Sequence, residues 1–212
     1  SSGMLVLHSE IAPDISYVMT AGHSCEERKF KKNVVDGVEI QKVGTSYEVI
    51  NYHGNRHKAV VVGIDRRWDL CLLQVKGVSR KHKAVPIATV GPKRGVKYYN
   101  LAAPKGLFGR GMVLTFDGYY SGNFMNGYDT YTITTKPGSS GSAILNKDGE
   151  IVGVIFAGFP AVENVGLSPV FASISIFVSK AYAYGELKLW QLYNRNVDIT
   201  ETTTQVPELK SP

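Results

Sequence analysis

The sequence predicts an all-β fold: two six-stranded antiparallel β-barrels in series, followed by a C-terminal helix. Three observations predict it. Short apolar or alternating runs, the mark of strands, recur along the 212 residues and are separated by Gly, Pro, Asn, Asp or Lys. These runs form two sets of six, divided by a basic stretch containing Pro and Gly. A helical period enters only near the end.

In the first set the strands are expected near Gly3–His8, Ile15–Thr20, Val34–Ile40, Ser46–Tyr52, Lys58–Ile64 and Leu70–Val75. In the second they are expected near Val96–Ala102, Met112–Tyr119, Asp129–Thr135, Ser142–Asn146, Glu150–Ala157 and Gly166–Ala172. Closing each set into a barrel hides its edges. The implied division is 1–78 for the first barrel, 79–95 for a basic linker, 96–173 for the second barrel and 174–212 for helices and an extended tail. Ile174, Phe177, Val178 and Ala181 share one helix face, with Ser173 as N-cap and Gly185 as stop. A second helical stretch, 186–194, carries Leu189, Trp190 and Tyr193. The expected seat of these helices is the second barrel.

Hydrophobic residues make up 43% and charged residues 20%, as in ordinary globular proteins, which argues against disorder. No run of about 18 apolar residues is present, so no membrane partner is expected. The opening Ser1-Ser2-Gly3-Met4 has neither the charged nor the apolar region of a signal peptide, and localisation stays open. The net charge of +6 is uneven: Lys76 to Lys97 holds seven Lys or Arg and no acid, and Arg28 to Lys32 adds a second cluster. These read as solvated loops, and without interleaved aromatics nucleic-acid binding is disfavoured. Cys25 and Cys71 are expected as buried, reduced thiols, because one possible bridge is not a disulfide framework. No Cys-x-x-Cys occurs, and His53 and His57 flank a polar turn, so neither a metal nor a cofactor is expected.

The chemistry gathers at Lys136-Pro137-Gly138-Ser139-Ser140-Gly141-Ser142, which runs into Ala143-Ile144-Leu145. A serine between glycines suits a tight turn with inward main-chain N–H groups. Ser140 is then a candidate nucleophile, with the amides of Gly138 and Ser140 as its oxyanion hole. Upstream lie Thr20-Ala21-Gly22-His23 and Asp69-Leu70-Cys71-Leu72-Leu73, so His, Asp and Ser occur in one of the known orders of the catalytic triad. Asp65 competes with Asp69, which is preferred because it leads directly into an apolar strand. Ser139 and Ser142 compete with Ser140.

On these motifs, together with Ser2-Gly3-Met4, Ala103-Pro104-Lys105-Gly106-Leu107 and Asn146 to Val154, residues 2 to 181 resemble a chymotrypsin-fold serine peptidase. The likeness is nearest to the trypsin-like core of the HtrA family and to viral or phage relatives. It implies that Ser140 is the nucleophile, His23 the general base and Asp69 its orienting acid, acting on a polypeptide substrate without cofactor. It implies a specificity pocket built from Thr134, Thr135, Phe156, Ala157 and Gly158. No acid stands there, which disfavours a P1 Lys or Arg, and Ile155 replaces the histidine of Glu- or Gln-selective viral enzymes; a small or apolar P1 is expected. Ser139 stands where digestive enzymes keep an acid, which argues against zymogen activation through a freed N-terminus. The 27 residues after Gly185 are too few for the PDZ domain of HtrA proteins. Two other readings remain: a catalytically silent structural or adaptor module in a larger assembly, and a viral or phage peptidase whose tail, Val206–Pro212, is a product of self-processing.

Overall fold

The structure is a computed structural model, and it describes residues 1–26, 33–35, 38–40, 45–124, 127–159 and 161–194. The basic cluster at 28–32 and the tail from 195 onward lie outside the described residues.

Five strands, β1 (Gly3–His8), β2 (Ile15–Ala21), β5 (Tyr47–Ile50), β6 (Arg56–Asp65) and β7 (Leu70–Lys76), form an antiparallel sheet in the order β1-β2-β7-β6-β5. The expected strand at 34–40 is instead a two-stranded pair, β3 (Asn33–Val35) with β4 (Val38–Ile40). The second sheet has seven strands: β8 (Lys97–Ala102), β9 (Leu114–Phe124), β10 (Tyr128–Tyr131), β11 (Ala143–Leu145), β12 (Ile151–Val154), β13 (Ala157–Gly158) and β14 (Gly166–Pro169). Their order is β12-β11-β8-β9-β10-β14-β13. The expected single strand at 150–157 breaks after Val154, because Ile155 N–H bonds to Ser142 and Phe156 N–H to Leu167 before pairing resumes at Ala157. The antiparallel all-β fold with a C-terminal helix is as expected; among the described residues the two sheets hold five and seven strands rather than six each, and neither strand order closes on itself.

β2 and β7 are buried on both faces for a physical reason. Successive side chains of a strand point to opposite sides, and here each side has its own core. Tyr17, Met19, Leu70 and Leu72 face a cluster shared with Ala143, Ile151 and Val154 of the second sheet and with the C-terminal helix. Val18, Cys71, Leu73 and Val75 face a cluster inside the first sheet. Tyr98, Tyr131, Ile133, Ile144, Val152 and Ile155 build a third core in the second sheet. Each large side chain so buried contributes roughly 1.5–3 kcal/mol.

The C-terminal helix, α1 (Phe171–Asn194), is one continuous element of 24 residues. Ser173 is not its N-cap. The helix begins two residues earlier, where Asp129 of β10 accepts the Phe171 amide at 3.0 Å, and the Ser173 hydroxyl bonds to Val170 O at 2.7 Å. Nor does Gly185 stop it. Gly185 is interior because the ring of Tyr17 lies against it, and a Cβ there would stand 2.8 Å from Tyr17 Cε1. One residue on, Glu186 accepts the Tyr17 hydroxyl at 2.7 Å and the amides of Glu10 and Ile11. The helix therefore packs against both sheets rather than the second alone. No described helix is long and apolar enough to cross a membrane.

Candidate active site

The three candidate residues come from three places in this frame. His23 sits in a single 3-10 turn, Gly22–Ser24, at the end of β2. Asp69 ends the turn between β6 and β7 in the left-handed region, φ +52°. β2 and β7 are neighbours, with Ala21 opposite Leu70, so the pairing register sets the two side by side. Asp69 Oδ2 lies 2.6 Å from His23 Nδ1 and Oδ1 2.6 Å from the His23 main-chain N. A carboxylate only accepts, so Nδ1 carries a proton, and in the neutral ring Nε2 keeps its lone pair. Gly22 is glycine for a local reason, since a Cβ would meet Asp69 Oδ1 at 2.9 Å.

Cys25 and Cys71, expected as reduced thiols, form a disulfide. They follow His23 and Asp69 by two residues each, and the same register that joins the catalytic candidates brings their cysteines together. The runner-up Asp65 caps its own turn: Oδ1 accepts the amides of Arg67 and Trp68 at 3.0 and 3.1 Å.

Ser140 belongs to the turn before β11. Its hydroxyl donates to Phe156 O at 3.3 Å. Ser139 is 1% exposed and its hydroxyl accepts the Lys136 amide, while Ser142 is fully buried and bonded to Asn100. Both competitors are committed to structure. Gly138 has φ +99°, and a Cβ there would meet Ala103 O and Lys105 N, both at 2.8 Å. Pro137 O accepts the Lys105 amide at 2.6 Å. C=O and N–H of a trans peptide point opposite ways, so this bond turns the Gly138 N–H away from Lys105. Among the described residues neither the Gly138 nor the Ser140 amide has an acceptor.

Of the expected pocket residues, the structure brings Thr135 against Gly158 and sets Phe156 O beside the Ser140 hydroxyl. β13 is an edge strand, and Thr135 stands behind it: a Cβ on Gly158 would collide with Thr135 Oγ1, and one on Gly166 would lie 3.0 Å from Thr135 Cγ2. The Thr134 hydroxyl donates to Asn164 Oδ1 at 2.8 Å. Phe156 packs on Tyr128 with ring centroids 5.1 Å apart, and Tyr128 meets Trp68, the residue before Asp69, edge-on at 6.2 Å. The contacts of Asn164, Tyr128 and Trp68 were not legible, because the partners lie 28 to 60 positions apart with no motif between. Among the described residues no cluster of His, Cys, Asp and Glu is arranged to hold a metal.

Three comparisons bear on this geometry. A family model described as a trypsin-like peptidase domain matches residues 2–154. The serine protease Do-like HtrA of Lactococcus lactis subsp. lactis (strain IL1403) is 26% identical over 205 residues, covering 80% of this chain and 50% of that protein. Its counterpart in Lactococcus lactis subsp. cremoris (strain MG1363) is 25% identical with the same coverage. The chain thus spans about half the length of the curated relatives it matches. Among solved structures, a serine endoprotease of Yersinia pestis superposes with TM-score 0.66 at 20% identity, over 87% of this chain and 58% of that one. An inactive serine-to-alanine mutant of a Mycobacterium tuberculosis H37Rv protein superposes with TM-score 0.60 at 19% identity, over 85% and 80%. These two likenesses are of fold.

Proposed function

The chain belongs to the trypsin-like peptidase family, and from that membership we propose that it is a serine endopeptidase working through Ser140, His23 and Asp69. The observation that carries the reading is the His23 Nδ1–Asp69 Oδ2 contact of 2.6 Å, which selects the tautomer whose Nε2 can act as a base. In the proposed cycle the Ser140 hydroxyl loses its proton to His23 Nε2 as Oγ attacks the scissile carbonyl. Asp69 stabilises the imidazolium so formed, and the unpartnered amides of Gly138 and Ser140 receive the oxyanion. His23 returns the proton to the leaving amine, and water then cleaves the acyl-enzyme by the same steps. Thr134, Thr135, Phe156, Ala157 and Gly158 carry no charge, which offers nothing to a P1 Lys or Arg and suits a small or apolar P1 side chain.

A silent module is the second reading, and one observation favours it: the Ser140 hydroxyl is turned to Phe156 O rather than to His23. Fluorophosphonate labelling separates the two. The expected result is label on Ser140, absent in Ser140→Ala and strongly slowed in His23→Ala. A folded wild-type chain that takes no label would overturn the peptidase reading in favour of the silent one.

A further inference from the structure

The turn that carries Ser140 is held from outside itself, and one residue on the other sheet's side bonds to it twice. Ser2, just ahead of β1, donates its hydroxyl to Gly138 O at 2.8 Å and accepts the Ala103 amide on the same oxygen at 3.0 Å. Its main-chain N–H donates to Ser140 O at 2.8 Å. Its carbonyl takes the Thr20 hydroxyl at 2.6 Å, which ties the segment to β2 three residues before His23. Ser1 adds a hydroxyl bond to Ser140 O at 2.6 Å and receives one from Ser24, next to His23, at 2.7 Å. Gly141 shows how close the approach is. It has φ +87°, and a Cβ there would collide with Ser2 O and Thr20 Oγ1.

These bonds act on peptide planes. Fixing Gly138 O fixes the 138–139 plane, whose N–H end donates to Lys136 O at 2.9 Å. Fixing Ser140 O fixes the 140–141 plane, whose N–H end donates to Ile155 O at 2.6 Å. The plane between them, 139–140, presents the free Ser140 amide, and the plane before them, pinned by Lys105, presents the free Gly138 amide. Rotating the 138–139 plane would misdirect both.

We propose that Ser2 is a positioning residue, whose hydroxyl, by bridging Ala103 N–H and Gly138 O, fixes the orientation of the two amides that receive the oxyanion. The assignment rests on the peptidase reading for its kinetic consequence but not for its structural one. It places a determinant of the nucleophile turn about 140 positions upstream, and it makes the seating of the segment before β1 a condition of an ordered oxyanion hole.

The test compares wild type with Ser2→Ala, Ser2→Thr and Ser2→Cys. Losing one oxyanion donor costs serine peptidases about 100- to 1,000-fold, so a misdirected turn in Ser2→Ala is expected to lower kcat by about 10- to 100-fold with KM changed less than about threefold. Ser2→Thr, which keeps the hydroxyl, restores most of kcat. Ser2→Cys, nearly the same shape with weaker hydrogen bonds, falls between and serves if the alanine variant does not fold. Amide hydrogen exchange gives a readout independent of turnover: exchange at Ser139 is expected to rise about tenfold in Ser2→Ala or Ser2→Cys while β7 amides hold. If wild type takes no fluorophosphonate the peptidase reading fails, and exchange alone decides the positioning role. Unchanged exchange at Ser139, or a kcat within about twofold of wild type in Ser2→Ala, overturns the assignment.

Discussion

Asp69 grips His23 twice, with Oδ2 on the ring Nδ1 and Oδ1 on the main-chain N, both at 2.6 Å. The carboxylate therefore fixes the ring tautomer and the turn that carries the ring in one stroke. The backbone of Asp69 adds a third hold, since its carbonyl accepts the Gly22 amide at 2.8 Å.

Replacing Asp69 with Asn tests this grip. Asparagine tolerates the left-handed backbone at φ +52°, so the fold should persist. Its amide can offer an oxygen to only one of the two donors and must turn an N–H toward the other, which favours the wrong ring tautomer. The expected outcome is a kcat lower by about ten-thousand-fold with Tm nearly unchanged, read by peptide hydrolysis beside thermal unfolding. Activity within about tenfold of wild type would remove Asp69 from its assigned role.

The disulfide makes a second prediction. It closes a loop of 46 residues, for which the chain-entropy account gives about 4 kcal/mol and measured bridges typically 2–4 kcal/mol. Cys25→Ala/Cys71→Ala should lower stability by about that much in urea unfolding. Because the bridge ties the segments just beyond His23 and Asp69, the double variant should also lose turnover below its melting range. A midpoint equal to that of the wild type would show that strand pairing alone holds this corner.

How much of this was legible follows from the range of each interaction. The strands of β1, β2, β6 and β7 are written in local alternation and in apolar runs, and so they were found within one or two residues. His23, Asp69 and Ser140 each sit in a short motif at a strand end, and so they were visible as candidates. The pairing of Cys25 with Cys71 was set aside because one possible bridge is not a disulfide framework, and the β2–β7 register that makes the bridge is a relation between residues 46 apart. Gly185 was misread as a stop because glycine's local meaning in a helix is termination, whereas here Tyr17, far away in sequence, requires the missing side chain. Ser2 was visible as the start of a strand but not as a partner of Gly138, because nothing local distinguishes a hydroxyl that crosses between sheets.

Gly185 offers a direct check on that last kind of contact. Alanine is the better helix former by about 1 kcal/mol, so on local grounds Gly185→Ala should stabilise α1. A Cβ would, however, lie 2.8 Å from Tyr17 Cε1 and 2.9 Å from its hydroxyl oxygen, and Tyr17 is fully buried with its hydroxyl bonded to Glu186 and Gln74. Overpacking of this kind costs about 1–3 kcal/mol. The variant should be less stable than wild type by about 1–2 kcal/mol in urea. A gain in stability would mean that α1 can slide on β2.

Asp129 supplies a prediction in pH. It is 4% exposed, and burial pushes its carboxyl above the ordinary 3.8, although the Tyr120 hydroxyl and the Phe171 and Asn123 amide groups favour the charged form. A carboxyl whose folded pKa is raised binds its proton more readily folded than unfolded. It therefore destabilises the fold above the folded pKa, and that penalty shrinks as pH falls and is gone below the unfolded value. Asp129→Asn has no proton to bind there, so other groups cancel when the two proteins are compared. The stability of wild type minus that of Asp129→Asn is expected to rise as pH is lowered from about 7 to about 3. Urea unfolding of both proteins across that range measures it. A difference that falls with acidification would mean that the three hydrogen bonds outweigh burial and hold the pKa below its unfolded value, which would make the carboxylate a net stabilising cap on α1.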